Sequence, residues 1–486
     1  MTLDTMLTLL AFTIYLLAML CIGFITMSGN KSSKDYFLGG HKTGPWLTAL
    51  SAEASDMSSW LLMGVPGVAY MTGCKGEAFW TVLGLLAGTY LNWKIVAKRL
   101  RTYAIQAGDA ITIPEFLSNR VHDTSGRIKA IGAVMIILFF VIYTASGFVA
   151  CGKLFRSVFG MSYYTGLVIG ILVIVGYTLT GGYMAVVTTD FIQGSLMFFA
   201  LVVTMVLGFN EAGPRIGEVQ DMLNPFVNAD YDILSIISLM AWGLGYFGMP
   251  HILVRFMGIK SNEEIPAARR IAMVWVTVSM AVAMVIGVLA HVTLPVQYAS
   301  QTAAENAFID QAKIFFPTFL AGVFLCAVLA SSMSTADSQL LVASSAFAED
   351  IYKTFIHKTA SEKEVLAVSR IGIIAITVVA VFLALDPDSS VFSIVSYAWA
   401  GFGATFGPCI LASIFWKRTS RRGIIAGMVA GGLTIILWRQ LSGGLFDLYE
   451  LLPGFIVGSL MLVLFSLSEK PAKQVMEEFE AFKASL

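Results

Sequence analysis

Residues 50–67, LSAEASDMSSWLLMGVPG, place two carboxylates inside an apolar run long enough to cross a membrane. A carboxylate at bilayer depth costs about 2.5–3.5 kcal/mol on insertion scales. The Gly and Pro that follow Glu53 and Asp56 also disfavour a continuous helix, because Gly costs about 1 kcal/mol and Pro about 3 kcal/mol in a helix interior. We therefore expect a broken membrane helix whose two acids serve a function.

The composition is that of a polytopic membrane protein. Hydrophobic residues make up 57% of the 486 residues, charged residues only 13%, and the mean hydropathy is +0.78, whereas soluble chains carry about 25% charged residues. A formal net charge of zero argues against nucleic-acid binding, and the lack of a GxxxxGK[ST] motif argues against ATP as an energy source. The scattered Cys and His residues lack metal-ligand spacing, and no nucleophile–base set is apparent, so an enzyme is not expected.

Apolar runs of about 20 residues predict about thirteen transmembrane helices in a single domain, 1–486. They lie near 4–26, 45–73, 77–96, 128–155, 162–180, 184–208, 233–256, 270–294, 313–347, 366–385, 389–416, 422–440 and 451–468. The joint TGGY, 180–183, is the shortest. Most Lys and Arg residues, including Arg255, then fall in the loops and helix ends of alternate sides. The positive-inside rule predicts that the N-terminus lies outside the cell and the C-terminus in the cytoplasm. The expected membrane is the bilayer of the cell membrane.

A second interruption occurs in the seventh span, where WGLGYFGMPH, 242–251, holds three glycines and Pro250. The glycines alone would also suit close helix packing. The two interruptions, however, lie five spans apart in corresponding positions, which indicates an inverted-repeat transporter with its site near the bilayer midplane. At such breaks, freed carbonyls bind cations and exposed helix N-termini bind carboxylates.

A hydroxyl stripe marks the ninth span, because Ser331, Ser334, Thr335 and Ser338 share one helix face. Such hydroxyls often bond only to the carbonyls of the preceding turn. They are also suitable ligands for a hard cation such as Na⁺, which prefers oxygen. Both readings are open at this point.

Five motifs resemble the sodium/solute symporter family, and most of all its sodium/proline symporters: LSAEASDMSSWLLMGVPG, IYTASG, AWGLGYFGMPHI, MSTADSQLLVASSAFAED and VSYAWAGFGATFGP. The resemblance extends from DYFLGG at 35–40 to LLPGF at 451–455. It implies an all-α, leucine-transporter-like fold with a five-plus-five inverted repeat, 45–208 and 233–416, and with one helix before and two after. It also implies sodium-coupled import of a small zwitterionic amino acid, first of all L-proline, by alternating access. Another small amino acid or a carboxylate solute is the alternative, and a sensor or a channel on the same fold is a remote one.

The resemblance implies that one sodium ion bridges the broken second helix and the ninth helix. The implied ligands are three carbonyls and two hydroxyls, from Ala54, Met57, Ser331, Ser334 and Thr335. Some family members hold a second sodium ion, at positions matching Asp190, Ser334, Asp337 and Ser338. The two acids would otherwise share a proton, or pair with a cation that the sequence does not locate.

The resemblance also implies a substrate cavity lined by Ser58, Ser59, Tyr143, Trp242, Tyr246 and Pro250. Aromatic faces suit a compact ring and a cationic nitrogen, and the serines would donate to a carboxylate. Asp56 is implied to couple sodium to substrate by holding the broken helix in shape.

Five positions depart from the proline-symporter pattern: Glu53 and Ser59 replace Gly, Met249 replaces Gln, His41 replaces Arg and Asp337 replaces a small uncharged residue. Glu53 would face a watery vestibule, pair with Lys75 or Lys42, or bind a substrate ammonium. The roles of Met249 and His41 stay open.

Overall fold

The computed structural model describes residues 2–27, 32–225, 231–295 and 297–486, and this part of the chain is helical without a β-strand. The longer helices are α1 (Leu3–Met27), α2 (Pro45–Ser59), α3 (Val65–Thr72), α4 (Glu77–Leu91), α5 (Ala97–Gln106), α6 (Ile113–Arg120), α7 (Arg127–Phe159), α8 (Tyr163–Ala212), α9 (Ile233–Met240), α10 (Pro250–Gly258), α11 (Ile265–Thr293), α12 (Ala307–Phe315), α13 (Thr318–Ser345), α14 (Glu362–Leu383), α15 (Val391–Phe415), α16 (Arg421–Trp438), α17 (Leu451–Leu467) and α18 (Lys473–Ala484).

Shorter helical segments connect these helices. The α-helical ones are Ser33–Leu38, Gln220–Leu223 and Gln301–Ala304; the 3-10 segments are Gly39–His41, Gly213–Val219, Ala241–Phe247, Asn262–Glu264 and Gly444–Asp447; the π-helical ones are Trp60–Gly64, Asn92–Val96 and Ala346–Ile356.

Within the described ranges, eight helices are long and apolar enough to cross a membrane, or nine if α9 and α10 count as one bent span. The predicted number of thirteen therefore stays a prediction. One reason for the difference is that α2 and α4 have 15 residues each and α17 has 17, fewer than the about 20 that a straight span needs. Both α2 and α4 continue through π-helical segments, so a count of uninterrupted helices underestimates the apolar length.

The first predicted interruption is present, at the end of α2. Ser58 has a left-handed φ of 49° with ψ of −170°, a conformation that residues other than Gly rarely adopt. Its hydroxyl oxygen accepts a hydrogen bond from the Trp60 backbone N–H at 3.1 Å. The chain then runs through the π-helical turn to Pro66, near the start of α3. Every residue from Thr48 to Tyr70 is buried, so the break and its acids lie in the protein core.

The second predicted interruption is also present. The 3-10 segment Ala241–Phe247 separates α9 from α10, and the chain bends by 44° between Phe247 and Pro250. This segment packs backbone to backbone on α4. A Cβ atom on Gly88 would lie 2.2 Å from the Gly243 carbonyl oxygen, and one on Gly84 would lie 2.3 Å from the Met240 carbonyl oxygen. Only glycine allows this approach.

The predicted TGGY joint is a break inside the helical run of α8, because Gly182 has φ of 65° and ψ of −172°. The centre of the bundle is α13, which packs against α1, α2, α7 and α8. Every residue from Leu325 to Ser345 is buried. The hydroxyl stripe of α13 therefore faces other helices and not lipid, and the broken α2 is one of them.

Candidate functional site

The broken α2 meets the hydroxyl stripe of α13 at Ala54. The Ser334 hydroxyl donates to the Ala54 carbonyl oxygen at 2.9 Å and lies 3.3 Å from the Ser331 carbonyl oxygen. Three of the five predicted sodium ligands are thus in contact. The Thr335 hydroxyl oxygen is buried and has no hydrogen-bond partner among the described residues. The oxygens gathered here have the chemistry that a hard cation prefers.

The stripe also shows the ordinary behaviour of helical serines. The Ser331 hydroxyl donates to the Val328 carbonyl oxygen at 2.8 Å, which is a bond within its own helix. Ser331 can therefore offer its carbonyl to a ligand while its hydroxyl is engaged. The family resemblance assigns a carbonyl ligand to Ser331 and a hydroxyl ligand to Ser334, and this assignment stays a prediction.

Asp56 is held by two tyrosines from different parts of the fold. The Tyr246 hydroxyl donates to Asp56 Oδ2 at 2.6 Å, and the Tyr143 hydroxyl donates to the Asp56 backbone oxygen at 3.1 Å. Asp56 Oδ1 is buried without a hydrogen-bond partner in the described part of the chain. Tyr246 lies in the second interruption and Asp56 lies beside the first. The bond between them therefore ties the two broken helices together.

A small chamber lies next to Asp56. Its volume is about 10 Å³, and its lining is Asp56, Met57, Trp60, Leu85, Tyr143, Trp242, Tyr246, Val395 and Trp399. Such a cavity holds about one water molecule. The aromatic walls must therefore move apart before an amino acid fits.

Three of the six predicted substrate residues line this chamber: Tyr143, Trp242 and Tyr246. The other three, Ser58, Ser59 and Pro250, do not. The Ser58 oxygen is engaged with the Trp60 N–H. The Ser59 hydroxyl oxygen is buried without a partner in the described residues, and Pro250 begins α10.

Sequence reasoning missed two tryptophans of the chamber. Trp399 donates from Nε1 to the Trp242 carbonyl oxygen at 2.8 Å, and the Trp60 and Trp242 rings lie 5.5 Å apart. Both missed residues occur inside quoted motifs, LSAEASDMSSWLLMGVPG and VSYAWAGFGATFGP. The available signal was that an aromatic residue in each motif accompanies a helix break or a run of glycines.

One end of the chamber is covered by Phe392, at the start of α15. Its ring lies 5.9 Å from the Trp60 ring and 5.4 Å from the Trp242 ring. Glu305 holds this helix start in place, because Oε1 accepts from the Phe392 N–H at 3.1 Å. Glu305 Oε2 accepts from Lys153 Nζ at 2.7 Å, and this ion pair joins the cover to α7.

A second buried acid, Asp190 on α8, pairs with an arginine. Arg255 Nη2 lies 3.4 Å from Asp190 Oδ2 and donates to the Ser338 hydroxyl at 2.5 Å. Asp190 Oδ2 also accepts from the Ser51 hydroxyl at 2.6 Å. The sequence counted Arg255 among the cations at the cytoplasmic end of the seventh span, whereas the structure buries it in α10, which is buried along its whole length. Asp337 is buried on α13, one residue before Ser338.

Glu53 contacts a tryptophan and not the lysines that the sequence suggested. Its Oε1 accepts from the Trp93 indole N–H at 3.1 Å, and its side chain is buried. Oε2 has no hydrogen-bond partner among the described residues. Neither Lys75 nor Lys42 contacts it in the described chain. Met249 is fully buried immediately before α10 and does not line the chamber.

His41 contributes to a polar cluster at the end of α10. Its Nδ1 lies 2.6 Å from the Met257 carbonyl oxygen, and its Nε2 lies 2.9 Å from Asp109 Oδ1. Lys34 also pairs with Asp109. Partial burial raises the pKa of Asp109, but the hydrogen bonds from Lys34 and His41 outweigh it, so the pKa is lower than that of an ordinary aspartate.

A hard-cation oxygen set beside a break in a membrane helix, next to an aromatic chamber, is typical of a secondary transporter. The family model of the sodium:solute symporter family matches residues 36–431, and the chain belongs to this family. It is a multi-pass membrane protein of a family that couples solute transport to sodium.

Two curated relatives illustrate the similarity. The sodium/proline symporter of Salmonella typhimurium is 45% identical over 480 residues, which are 97% of this chain and 95% of that protein. The high-affinity proline transporter of Bacillus subtilis is 43% identical over 477 residues, which are 96% of this chain and all of that protein.

Solved structures confirm the fold. A Na⁺-coupled sialic acid symporter in a substrate-bound, outward-open state matches with a TM-score of 0.79 at 21% identity, over 96% of this chain and 99% of that chain. A nucleobase-cation-symport-1 transporter matches with a TM-score of 0.55 at 14% identity, over 93% and 99% of the two chains. The predicted all-α, leucine-transporter-like fold is therefore confirmed.

Proposed function

We propose that this protein imports a small zwitterionic amino acid, L-proline first of all, together with sodium and by alternating access. The relatives that cover nearly the whole chain are named as proline transporters. The observation that carries the proposal is the contact of the Ser334 hydroxyl with the Ala54 carbonyl at the break of α2. This contact gathers cation ligands directly beside an aromatic chamber.

The proposed sodium site uses the carbonyls of Ala54, Met57 and Ser331 and the hydroxyls of Ser334 and Thr335. Two observations support it: three of these residues are in contact, and the Thr335 hydroxyl has no other partner in the described residues. An ion bound here would join α2 to α13.

Coupling then follows from the order of residues along α2. Ala54 belongs to the proposed ion site, while Asp56 and Met57 line the chamber. An ion that fixes the backbone at residue 54 therefore fixes the chamber wall two residues later. Sodium and substrate would each favour the same shape of the break, and each would raise the affinity for the other.

The proposed substrate site is the chamber, widened by movement of its aromatic walls. Tryptophan and tyrosine faces suit a pyrrolidine ring and its cationic nitrogen. The predicted role of Ser59 as a donor to the substrate carboxylate is supported by its unpartnered hydroxyl. Ser58 and Pro250 shape the two breaks in this proposal, and the Ser58 hydroxyl accepts from the Trp60 N–H while its own O–H stays able to donate.

The inverted repeats, 45–208 and 233–416, and the orientation belong to the same proposal. The two interruptions, at Ser58 and between Phe247 and Pro250, occupy corresponding places in the two repeats. With the N-terminus outside and the C-terminus in the cytoplasm, the polar cluster at His41 and Asp109 would lie at the cytoplasmic end. The Phe392 cover would lie at the outer end, in the plasma membrane of the cell.

The test is uptake of labelled L-proline into proteoliposomes, with an inward sodium gradient or with potassium in its place. Uptake above equilibrium only with sodium supports the proposal. Competition by unlabelled small amino acids and carboxylates then ranks the substrates, and a solute that competes while proline does not would replace proline in this assignment. Lack of sodium-dependent uptake of every solute in the panel would refute symport of this substrate class.

A further inference from the structure

Arg255 is a fully buried cation at the junction of four helices. It lies on α10, Asp190 lies on α8, Ser51 on α2 and Ser338 on α13. The side chains of Arg255 and Asp190 have no exposed surface. A buried charge of this kind requires a partner, because its desolvation is costly.

The guanidinium uses each of its nitrogens in this junction. Nε donates to the Ser51 hydroxyl at 3.1 Å, Nη1 to the His251 carbonyl oxygen at 3.2 Å and Nη2 to the Ser338 hydroxyl at 2.5 Å. The Tyr183 ring lies 5.3 Å from Cζ and provides a cation–π contact. The rigid fork of arginine can satisfy several oxygens at once, which a lysine ammonium does less well.

These contacts occupy two of the residues that a second sodium ion would need. Of the four residues in the predicted second site, Asp190, through Oδ2, and Ser338 both bond to Arg255. A mobile cation between Asp190 and Ser338 would have to displace a guanidinium that is covalently attached to the protein. It would also add a second positive charge beside the first.

We propose that Arg255 is the resident cation of Asp190 and Ser338, and that it sets the stoichiometry of transport at one sodium ion per substrate. The inference rests on the proposed sodium symport and specifies its coupling. It makes Arg255 a specificity-determining residue, since its fixed charge takes the place of an ion that would otherwise be drawn from solution.

The first experiment uses the unaltered protein in proteoliposomes. Uptake of ²²Na⁺ and of labelled proline is measured together, and the reversal potential is measured under known gradients. We expect one sodium ion and one positive charge per proline. A ratio of two would leave sodium symport intact and overturn the inference, whereas lack of sodium-dependent uptake would count against the proposed function itself.

The second experiment replaces Arg255 and needs no transport. Arg255→Met leaves the Asp190 carboxylate buried without its guanidinium, so sodium becomes the available cation. Thermal unfolding in detergent is followed against sodium, with choline at constant ionic strength. We expect a Hill coefficient for sodium protection near one in the unaltered protein and near two in Arg255→Met.

The paired variant Arg255→Met/Asp190→Asn removes both charges, and its Hill coefficient should return to near one. Lys153→Met is a matched control, because it breaks another buried ion pair, with Glu305, and should leave the coefficient near one. If Arg255→Met keeps a Hill coefficient for sodium protection near one, as in the unaltered protein, the inference is wrong. If Arg255→Met does not fold, the flux ratio of the unaltered protein decides.

Discussion

The hydrogen bond from Tyr246 to Asp56 offers a direct measure of how the two broken helices are joined. Tyr246→Phe removes one hydroxyl and keeps the ring that lines the chamber. Asp56 would then have no side-chain hydrogen bond among the described residues, because Oδ1 already lacks a partner and Oδ2 bonds only to Tyr246. We expect the sodium-dependent affinity for proline to fall.

The expected size of this loss follows from the buried acceptor that loses its partner. Leaving a buried acceptor without its partner costs about 1–3 kcal/mol, and each 1.4 kcal/mol is about tenfold in an equilibrium constant, so the dissociation constant should rise about 5- to 150-fold. Tyr143→Phe is the matched variant. Its hydroxyl bonds at 3.1 Å to a neutral acceptor, the Asp56 backbone oxygen, so the expected rise is about 2- to 12-fold, from about 0.5–1.5 kcal/mol.

The assay is equilibrium binding of labelled proline to purified protein at a fixed, saturating sodium concentration, with the melting temperature of each variant as a check on folding. The comparison of the two tyrosines is the decisive part. If Tyr143→Phe weakens binding more than Tyr246→Phe, or if Tyr246→Phe binds proline within twofold of the unaltered protein, the Asp56–Tyr246 bond does not support the bound state. The assignment of Asp56 as the coupling residue would then fail.

Three further predictions address other parts of the site. Ser334→Ala removes the hydroxyl that contacts the Ala54 carbonyl, so the sodium concentration for half-maximal uptake should rise at least tenfold, while maximal uptake at saturating sodium changes less; an unchanged sodium dependence would place the ion elsewhere. Gly245→Ala would put a Cβ atom 2.0 Å from Trp399 Nε1, so proline binding should be lost and tryptophan fluorescence should change, and normal binding by this variant would contradict the chamber geometry. Asp109→Asn removes the carboxylate charge that two basic side chains share, so thiol reagents added from the side of the membrane on which this cluster lies should label a cysteine introduced at Val395, which lines the chamber, faster; unchanged labelling would show that this cluster does not restrict access.

The lowered pKa of Asp109 also gives the sign of an acid effect. Because its pKa is lower in the folded protein than the ordinary value of 3.8, its contribution to stability is fully present above that value. The contribution is lost as the pH falls through the folded pKa. The stabilising effect of Asp109 relative to Asp109→Asn should therefore be constant at neutral pH, should begin to fall near pH 4 and should disappear below the folded pKa, as measured by thermal unfolding.

Much of the fold could be predicted from the sequence, because membrane helices leave strong local signals. Apolar length marks the spans, and the glycines and prolines of 50–67 and 242–251 mark both interruptions. The contact of Ser334 with Ala54 could be anticipated only through the resemblance. Composition and spacing alone left two interpretations of the Ser334 hydroxyl: it bonds to a carbonyl of its own helix, or it is a ligand of a cation.

Arg255 shows why the rest could not be predicted. A basic residue near the end of an apolar run ordinarily marks the membrane surface. Here the interruption before Pro250 bends the chain and sends α10 into the core, where its last turn is buried. The partner acid, Asp190, is 65 residues away in sequence. No periodicity within a single span connects the two.

The glycine contact between α4 and the second interruption has a consequence for how the transporter can move. At Gly88 and Gly243 the two backbones touch without intervening side chains, so there is no flexible layer in which one could slide over the other. Any displacement of the interruption must carry α4 with it. The two segments are therefore expected to move together as one rigid unit. The joints that allow alternating access have to lie elsewhere, at positions such as Ser58 and Gly182, where the backbone already leaves the helical conformation.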